Sequence, residues 1–251
     1  MRHPFDLSGK VAVVTGANTG IGQGIALALA AAGADIAAVG RTPAEETAAQ
    51  VRALGRRAEL IGADLSTIEP VGRVVGETVE RLGGLDILVN NAGIIRRADS
   101  LEFTEDDWDA VIDTNLKSVF FLCQAAARHM VGAGGGKIVN IASMLTFQGG
   151  IRVPSYTASK SGIGGLTKIL ANEWAAKGIT VNAIAPGYIA TNNTAALQAD
   201  ESRNRQILER IPAGRWGDPG DLGGAAVFLA SSASDYVNGH ILAVDGGWLA
   251  R

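Results

Sequence analysis

Short apolar runs alternate along this chain with longer stretches in which apolar positions recur at helical spacing. Seven runs rich in Val, Ile and Ala have the length of strands that are buried on both faces: 10–15, 34–40, 57–63, 85–90, 137–142, 179–185 and 240–244. Helical patterns lie between them at 21–32, 43–54, 67–82, 105–131, 155–177 and 219–230. This alternation predicts an α/β fold, a doubly wound parallel β-sheet of about seven strands with helices on both faces.

The sequence contains no sign of a boundary between domains. Its 251 residues include no proline- or serine-rich linker, no block of like charge and no internal repeat, and glycine pairs such as Gly83-Gly84 fall where predicted elements end. The one long segment without a clear pattern is 187–217, and long loops in compact domains often cover binding sites. We therefore expect one domain over residues 1–251, with a substrate lid near 187–217.

Composition and charge argue against several classes of protein. Hydrophobic residues make up 47% of the chain and charged residues 19%, which is enough apolar material for a substantial core. The net charge of −3 provides no basic surface for nucleic acid, and the longest apolar stretches, such as 25–32, are too short to span a membrane. Because no basic and apolar leader opens the chain, we expect a soluble protein of the cytoplasm.

Cysteine and histidine usage argues against disulfides and metal binding. Cys123 is the only cysteine, so no internal disulfide can form, and its apolar neighbours predict a core thiol rather than a nucleophile. His3, His129 and His240 share no ligand spacing, and we predict no metal site.

A glycine-rich stretch joins the first predicted strand to the first predicted helix. Gly16, Gly20 and Gly22 lie there in "VVTGANTGIGQG". Glycines at such a turn let the backbone approach a pyrophosphate, which the free N–H groups of the helix N-terminus then bind. The spacing G-x-x-x-G-x-G differs from the common dinucleotide fingerprint, and the alternative is a glycine-rich turn without a ligand.

The end of the second predicted strand is where such folds distinguish NAD from NADP. An acidic residue there bonds the 2′-hydroxyl of the ribose, whereas this chain has Gly40 followed by Arg41. A guanidinium can bind a 2′-phosphate through paired N–H donors, so Arg41 favours NADP(H), with NAD(H) as the alternative. Arg41 could instead be a solvated loop residue.

Several segments, in order along nearly the whole chain, together resemble the short-chain dehydrogenase/reductase family. They are "TGANTGIG" at 15–22, "NNAG" at 90–93, "IDTNLKSVFF" with Asn115, "IVNIASM" with Ser143, "YTASK" at 156–160 and "PG" at 186–187. The resemblance implies a Rossmann-type sheet of seven strands, a nicotinamide cofactor and a catalytic set formed by Asn115, Ser143, Tyr156 and Lys160.

The chemistry of these residue types agrees with that implication. Tyr156 and Lys160 lie one helical turn apart, so their side chains share a helix face. We expect the ammonium of Lys160, together with an oxidised nicotinamide, to lower the pKa of the Tyr156 phenol so that it exchanges a proton with substrate. Ser143 can hydrogen-bond the same substrate oxygen, and the resemblance places Asn115 in a water-mediated proton relay.

The resemblance also implies a line of cofactor contacts along the carboxyl edge of the sheet. Asp64 would meet the adenine, although it could simply cap the next helix, and Gly93 could be only a turn glycine. The full set is Gly16, Asn18, Thr19, Gly20, Ile21, Gly22, Arg41, Asp64, Leu65, Asn91, Ala92, Gly93, Tyr156, Lys160, Pro186, Gly187, Ile189 and Thr191.

Arginines and amides flank the expected site and predict an acidic, hydroxylated substrate. A guanidinium suits a carboxylate, although each arginine could equally lie solvated on the surface. The arginines are Arg96, Arg97 and Arg152, and the amides are Gln148, Asn192 and Asn193. With Ser143 and Tyr156, we assign Arg97, Gln148, Arg152 and Asn193 to substrate binding. Because Pro154 disfavours a helix through this segment, the four-residue spacing of Arg152 and Tyr156 is not expected to be helical.

The segments around the site are most similar to the branch of the family that acts on hexulosonates and their deoxy forms. We therefore expect interconversion of a keto and a hydroxyl group on a sugar acid, such as 2-keto-3-deoxygluconate and its diketo form. The alternatives are gluconate 5-dehydrogenase, 3-oxoacyl carrier-protein reductase and a non-catalytic nucleotide-binding protein. The resemblance further implies a homotetramer built through helices 105–131 and 155–177 and the C-terminal strand.

Overall fold

The computed structural model describes residues 3–251, and a single parallel sheet forms its centre. The strands are β1 (Val11–Thr15), β2 (Asp35–Gly40), β3 (Ala58–Gly62), β4 (Ile87–Asn90), β5 (Gly136–Ile141), β6 (Ile179–Pro186) and β7 (Ile241–Val244). Their order is β3-β2-β1-β4-β5-β6-β7, and each neighbouring pair is parallel. The predicted doubly wound α/β sheet is confirmed, with strand ends within two residues of the prediction.

Helices connect these strands on both faces of the sheet. They are α1 (Gly20–Ala31), α2 (Glu45–Ala53), α3 (Val71–Leu82), α4 (Glu105–Ile112), α5 (Ser118–Ala133), α6 (Pro154–Trp174), α7 (Ala195–Ala199), α8 (Glu201–Arg210) and α9 (Gly223–Ala230). The predicted helix 105–131 is divided by a π-helical turn at Asp113–Lys117, which holds Asn115. Pro154 is the first residue of α6, because its fixed φ suits a helix start and its missing N–H has no partner to lose there.

Two apolar clusters cover the two faces of the sheet, as the uninterrupted apolar strands predict. Cys123 lies in one of them, fully buried, and accepts a hydrogen bond from Asn90 Nδ2 (3.1 Å). Asn90 also donates to Asn140 Oδ1 (2.9 Å) on the neighbouring strand. Burial raises the pKa of the Cys123 thiol to about 12, so this sulfur stays protonated at neutral pH, as a core thiol would.

The chain reverses its direction of winding between β1 and β4, and the carboxyl ends of both strands open into one crevice. Ligands of doubly wound sheets bind in the crevice at such a switch point. Among residues 3–251, no helix is long and apolar enough to cross a bilayer. In the same range, no three His, Cys, Asp or Glu side chains come close enough together to hold a metal ion.

The segment 187–217 leaves the sheet after β6 and returns to its own starting point. Ile189 and Gly217 form a parallel β-bridge, and Ala190 N donates to Gly217 O (2.8 Å). Between these ends lie α7 and α8, which the sequence pattern did not predict. The reason is that α8 is strongly polar and buries only Ile207, so it lacks the apolar stripe that signals a helix.

Candidate active site

The glycine-rich turn folds into a cradle at the N-terminus of α1. Gly16 and Gly20 have φ of +66° and +57°, values that a side chain disfavours. A β-carbon on Gly22 would overlap the carbonyl oxygen of Gly16, so only glycine allows this close turn. Thr19, at the N-cap of α1, makes no side-chain capping bond, which leaves the first N–H groups of the helix for a ligand. These features fit the pyrophosphate of a dinucleotide.

The end of β4 closes this cradle from the other side of the switch point. Asn91 Nδ2 donates to the carbonyl oxygens of Thr15 (2.9 Å) and Gly16 (3.2 Å). The Thr15 hydroxyl oxygen accepts from the backbone N–H groups of Asn91 (3.0 Å) and Ala92 (2.9 Å). The "TGANTGIG" and "NNAG" segments, which the sequence predicts to bind one cofactor, therefore contact each other directly.

Arg41 and Asp64 stand together at the ends of β2 and β3. Both side chains are exposed, and Arg41 Nε lies 4.0 Å from Asp64 Oδ1. The Asp64 carboxylate also accepts from Ser66 N (3.0 Å), and this bond, aided by the charge of Arg41, lowers its pKa. Asp64 thus caps a turn rather than α3, which begins at Val71. Leu65 beside it is buried in the core.

The remaining residues predicted to contact the cofactor lie where β6 ends and the 187–217 segment begins. Pro186 pairs with Val244 of β7, and Gly187 N donates to the carbonyl oxygen of the same valine (3.0 Å). Ile189 is buried, and the Thr191 methyl group faces Gly20 of the glycine cradle. The segment therefore begins beside the glycine cradle.

Tyr156 and Lys160 lie on the first two turns of α6, facing the carboxyl edge of the sheet. The Lys160 ammonium is 5.6 Å from the centre of the Tyr156 ring and donates to the carbonyl oxygen of Ile141 (2.6 Å) at the end of β5. Lys160 is only 5% exposed. The predicted pair therefore shares a face, as its spacing requires.

Burial dominates the pKa values of this pair in the protein alone. Burial raises the pKa of Tyr156, and the Ser143 hydroxyl and the charge of Arg97 offset only part of that rise. Burial also lowers the pKa of Lys160 to about 8. The prediction that Lys160 and an oxidised nicotinamide together lower the pKa of Tyr156 concerns the cofactor-bound protein and stays a prediction. In the protein alone, desolvation dominates the pKa of Tyr156, and the hydrogen bond of Lys160 goes to the carbonyl oxygen of Ile141.

Ser143 is held in place by the short 3₁₀ turn that follows β5. Its hydroxyl oxygen accepts from Leu145 N (3.1 Å), which leaves the hydroxyl proton to donate. Thr146 Oγ1 donates to the carbonyl oxygen of Lys160 (2.9 Å) and so fastens this turn to α6. The arrangement supplies one oriented donor beside the Tyr156 phenol.

The side chain of Asn115 bonds the backbone just after the "NNAG" segment and also donates to the Ser159 hydroxyl (3.4 Å). It accepts from Ile94 N (2.8 Å) and donates to Ile94 O (2.8 Å), and it is 1% exposed. Gly93 packs beside it, since a β-carbon there would stand 3.1 Å from Asn115 Oδ1. The carboxamide therefore anchors the loop that follows β4, and the relay role of Asn115 stays a prediction.

The structure separates the three candidate arginines. Arg96 turns to α4 and pairs with Asp107 (3.0 Å). Arg97 reaches across the crevice, where Nη2 donates to the carbonyl oxygen of Asn193 (3.3 Å) and its charge acts on Tyr156. Arg152 is exposed and has a φ of +62°, and its carbonyl oxygen accepts from Ala98 N (3.1 Å). Arg152 thus lies outside α6, as Pro154 predicts.

Gln148 lies half-buried at the end of the loop that carries Ser143, and a residue that the sequence did not single out contacts it. Trp248 Nε1 donates to Gln148 Oε1 (3.4 Å). Trp248 comes one hundred positions later, at the C-terminal end, and no periodicity or motif joins it to the site.

Comparisons with known proteins agree with this geometry. The family model described as Enoyl-(Acyl carrier protein) reductase matches residues 16–249. 2-Dehydro-3-deoxy-D-gluconate 5-dehydrogenase of Escherichia coli (strain K12) is 64% identical over 98% of both chains. Gluconate 5-dehydrogenase of Gluconobacter oxydans (strain 621H) is 45% identical over 98% of both.

A crystal structure of a proposed 2-deoxy-D-gluconate 3-dehydrogenase from Agrobacterium tumefaciens, with NADP bound, is 59% identical to this chain. It superposes with a TM-score of 0.92 and covers 100% of both chains. The ordered motifs, the seven-stranded sheet and these similarities support one conclusion: the chain belongs to the short-chain dehydrogenase/reductase family.

Proposed function

We propose that this protein is an NAD(P)(H)-dependent oxidoreductase that interconverts a keto and a hydroxyl group on a sugar acid, in the manner of 2-dehydro-3-deoxy-D-gluconate 5-dehydrogenase. One observation carries the proposal. Ser143, Tyr156 and Lys160 meet at the crevice with Arg97 across from them, so a proton donor and a cation for a carboxylate face the same space. The relative of 64% identity supports the substrate class.

The glycine cradle, Arg41, Asn91 and the start of the 187–217 segment would hold the dinucleotide, which supplies or accepts the hydride when it is bound. Arg41 supports a preference for NADP(H), because its exposed guanidinium follows the end of β2, the position at which such folds recognise the adenosine ribose. NADP in the neighbour from Agrobacterium tumefaciens agrees with this preference within the sugar-acid branch. NAD(H) remains the alternative.

Each catalytic side chain has one task in the proposed reaction. Tyr156 donates its phenolic proton to the substrate oxygen during reduction and takes a proton back during oxidation. Because its pKa is raised, the phenol is protonated at neutral pH and suits the reducing direction. Ser143 donates a hydrogen bond to the same oxygen as negative charge develops there, and Lys160 adds a buried cation beneath the ring.

Substrate recognition is assigned to the residues around this centre. Arg97 binds the carboxylate, and Gln148 and Asn193 bind hydroxyl or keto oxygens. Arg152 is a weaker candidate, since it is exposed on a strained loop. The segment 187–217 closes over the ligand as a lid, pinned at its base by the bridge between Ile189 and Gly217. The homotetramer and the cytoplasmic location stay predictions.

Initial-rate assays test the proposal. Purified protein would be given NADPH or NADH with the diketo form of 3-deoxygluconate, with 5-ketogluconate and with an acyl thioester of a 3-keto acid. We expect the highest kcat/KM with the deoxy sugar acid. A higher kcat/KM with 5-ketogluconate would identify gluconate 5-dehydrogenase, which the relative at 45% identity represents. Turnover of the thioester alone would refute the sugar-acid assignment.

A further inference from the structure

Trp248 lies in the short turn after β7 and touches three separate parts of the active-site region. It is 5% exposed. Its indole ring packs edge-on against Tyr188 (centroids 4.8 Å apart), and the guanidinium of Arg210 lies 4.0 Å from the ring centre. Its N–H donates to Gln148 Oε1 (3.4 Å). One side chain thus connects the substrate loop, the base of the 187–217 segment and the end of α8.

The bond to Gln148 determines which end of that carboxamide is free. An indole nitrogen can only donate, so the oxygen of Gln148 must face Trp248. The amide nitrogen, with its two protons, is then the group left for a substrate oxygen. Gln148 follows the 3₁₀ turn that begins after Ser143, so it is carried on the same short loop as the catalytic hydroxyl.

The contact with Arg210 extends the connection to α8. Arg210 is the last residue of this helix, and a guanidinium over an aromatic ring is an attractive pair. Two further bonds run in parallel: Arg251 Nη2 donates to Glu209 O (2.6 Å), and Trp216 Nε1 donates to Asn204 Oδ1 (2.7 Å). Trp248 and Arg251 at the C-terminal end thus contact the last turn of α8, and Trp216 contacts its first half.

We propose that Trp248 is a positioning residue with two effects: it fixes the Gln148 carboxamide as a hydrogen-bond donor to substrate, and it holds α8 in place through Arg210. The first effect rests on the proposed function of the site. The second depends only on the fold, so it can be tested in the absence of any substrate.

A double-mutant cycle tests the first effect through KM. Trp248→Phe keeps an aromatic ring over Tyr188 but removes the N–H. We expect it to raise KM for the sugar acid about 3- to 10-fold, the value of one ordinary hydrogen bond, with a smaller change in kcat and unchanged NADPH affinity. Gln148→Ala should raise KM as well, and the double variant should raise it no further than Gln148→Ala alone.

Trp108 of α4 provides the matched control, because it is 41% exposed and makes no bond to Gln148. Trp108→Phe makes the same chemical change as Trp248→Phe, but at a position on the surface. It should leave KM unchanged. Additive effects of Trp248→Phe and Gln148→Ala, or an equal rise in KM from Trp108→Phe, would overturn the assignment to Gln148.

Amide hydrogen exchange tests the second effect in the free protein. Trp248→Leu and Arg210→Ala each remove the cation–ring contact, and both should speed exchange of the α8 amides selectively, with α1 and α6 unchanged. Exchange that rises equally throughout the chain, or does not rise in α8, would overturn the coupling to α8. If no sugar acid is turned over, the proposed function fails while this measurement still decides the structural role.

Discussion

Arg97 provides the sharpest test of how this site recognises an acid. Its guanidinium spans the crevice to the carbonyl oxygen of Asn193 (3.3 Å), and its charge acts on the Tyr156 phenol. A substrate carboxylate is a stronger acceptor than that neutral carbonyl oxygen, so the guanidinium would bind it in preference. Arg97→Ala removes the cation and leaves Ser143, Tyr156 and Lys160 in place.

The size of the effect follows from the exposure of the arginine. A hydrogen bond to a charged group contributes roughly 1.5–3 kcal/mol, and solvent screening at an exposed guanidinium favours the lower end of that range. A loss of about 1.5–2 kcal/mol corresponds to a decrease of roughly 10- to 30-fold in kcat/KM for the sugar acid. Most of this decrease should come from KM, because the carboxylate is bound equally in the ground and transition states.

The pH profile adds a second measurement for the same variant. The charge of Arg97 lowers the pKa of Tyr156, so removing it should raise that pKa further. Reduction requires the protonated phenol, and its alkaline limb should therefore move to higher pH in Arg97→Ala.

Arg96→Ala is the matched control, because its neighbouring guanidinium pairs with Asp107 (3.0 Å) on α4. Initial rates would be measured for both variants with the sugar acid and with a neutral diketone. Arg96→Ala should behave as the wild type. The reasoning is refuted if Arg97→Ala slows the neutral diketone as much as the acid, or if both variants lose the same activity.

Four other outcomes follow from the structure. Tyr156→Phe should lower turnover by roughly 10²- to 10⁴-fold while titrations still show NADPH binding; unchanged turnover would contradict its role. Arg41→Asp should lower kcat/KM with NADPH about tenfold or more and spare NADH, whereas equal losses would remove Arg41 from cofactor choice. Gly22→Ala should weaken NADPH binding by roughly tenfold or more, because the new β-carbon meets a backbone oxygen; unaltered affinity in the same titration would be inconsistent with a tight cradle. For Lys160, whose pKa falls from 10.5 to about 8 on folding, the unfolded chain holds more protons between these values. In urea denaturation, the free energy of unfolding of the wild type should therefore rise with pH between these two values, relative to that of Lys160→Met. A fall in this difference with pH would contradict a cost of burying the charged lysine.

The local pattern of apolar residues was sufficient to predict the strands, whose two faces are both buried. The strands are covered on both faces, so their uninterrupted apolar runs identified all seven. Pro154 correctly placed Arg152 outside α6, because a proline restricts the residues before it. α8 was missed because it is polar and buries only Ile207, so it has no periodic apolar stripe. α7 was missed because its five residues are too few to show a helical period.

For the candidate site, too, some properties could be predicted from local sequence and others depend on the folded chain. The sequence by itself determined which residue types are present and that Tyr156 and Lys160 share a helix face, because helical spacing is a local property. Only the tertiary structure decided their ionisation, since the pKa of each depends on desolvation by distant parts of the chain.

Long-range contacts also decided what each arginine and amide does. Arg96 and Arg97 are neighbours in sequence, yet one pairs with α4 and the other reaches Asn193. The bond between Trp248 and Gln148 joins residues one hundred positions apart. Periodicity describes one element at a time, so partners brought together by the packing of separate elements become visible only when the chain is folded.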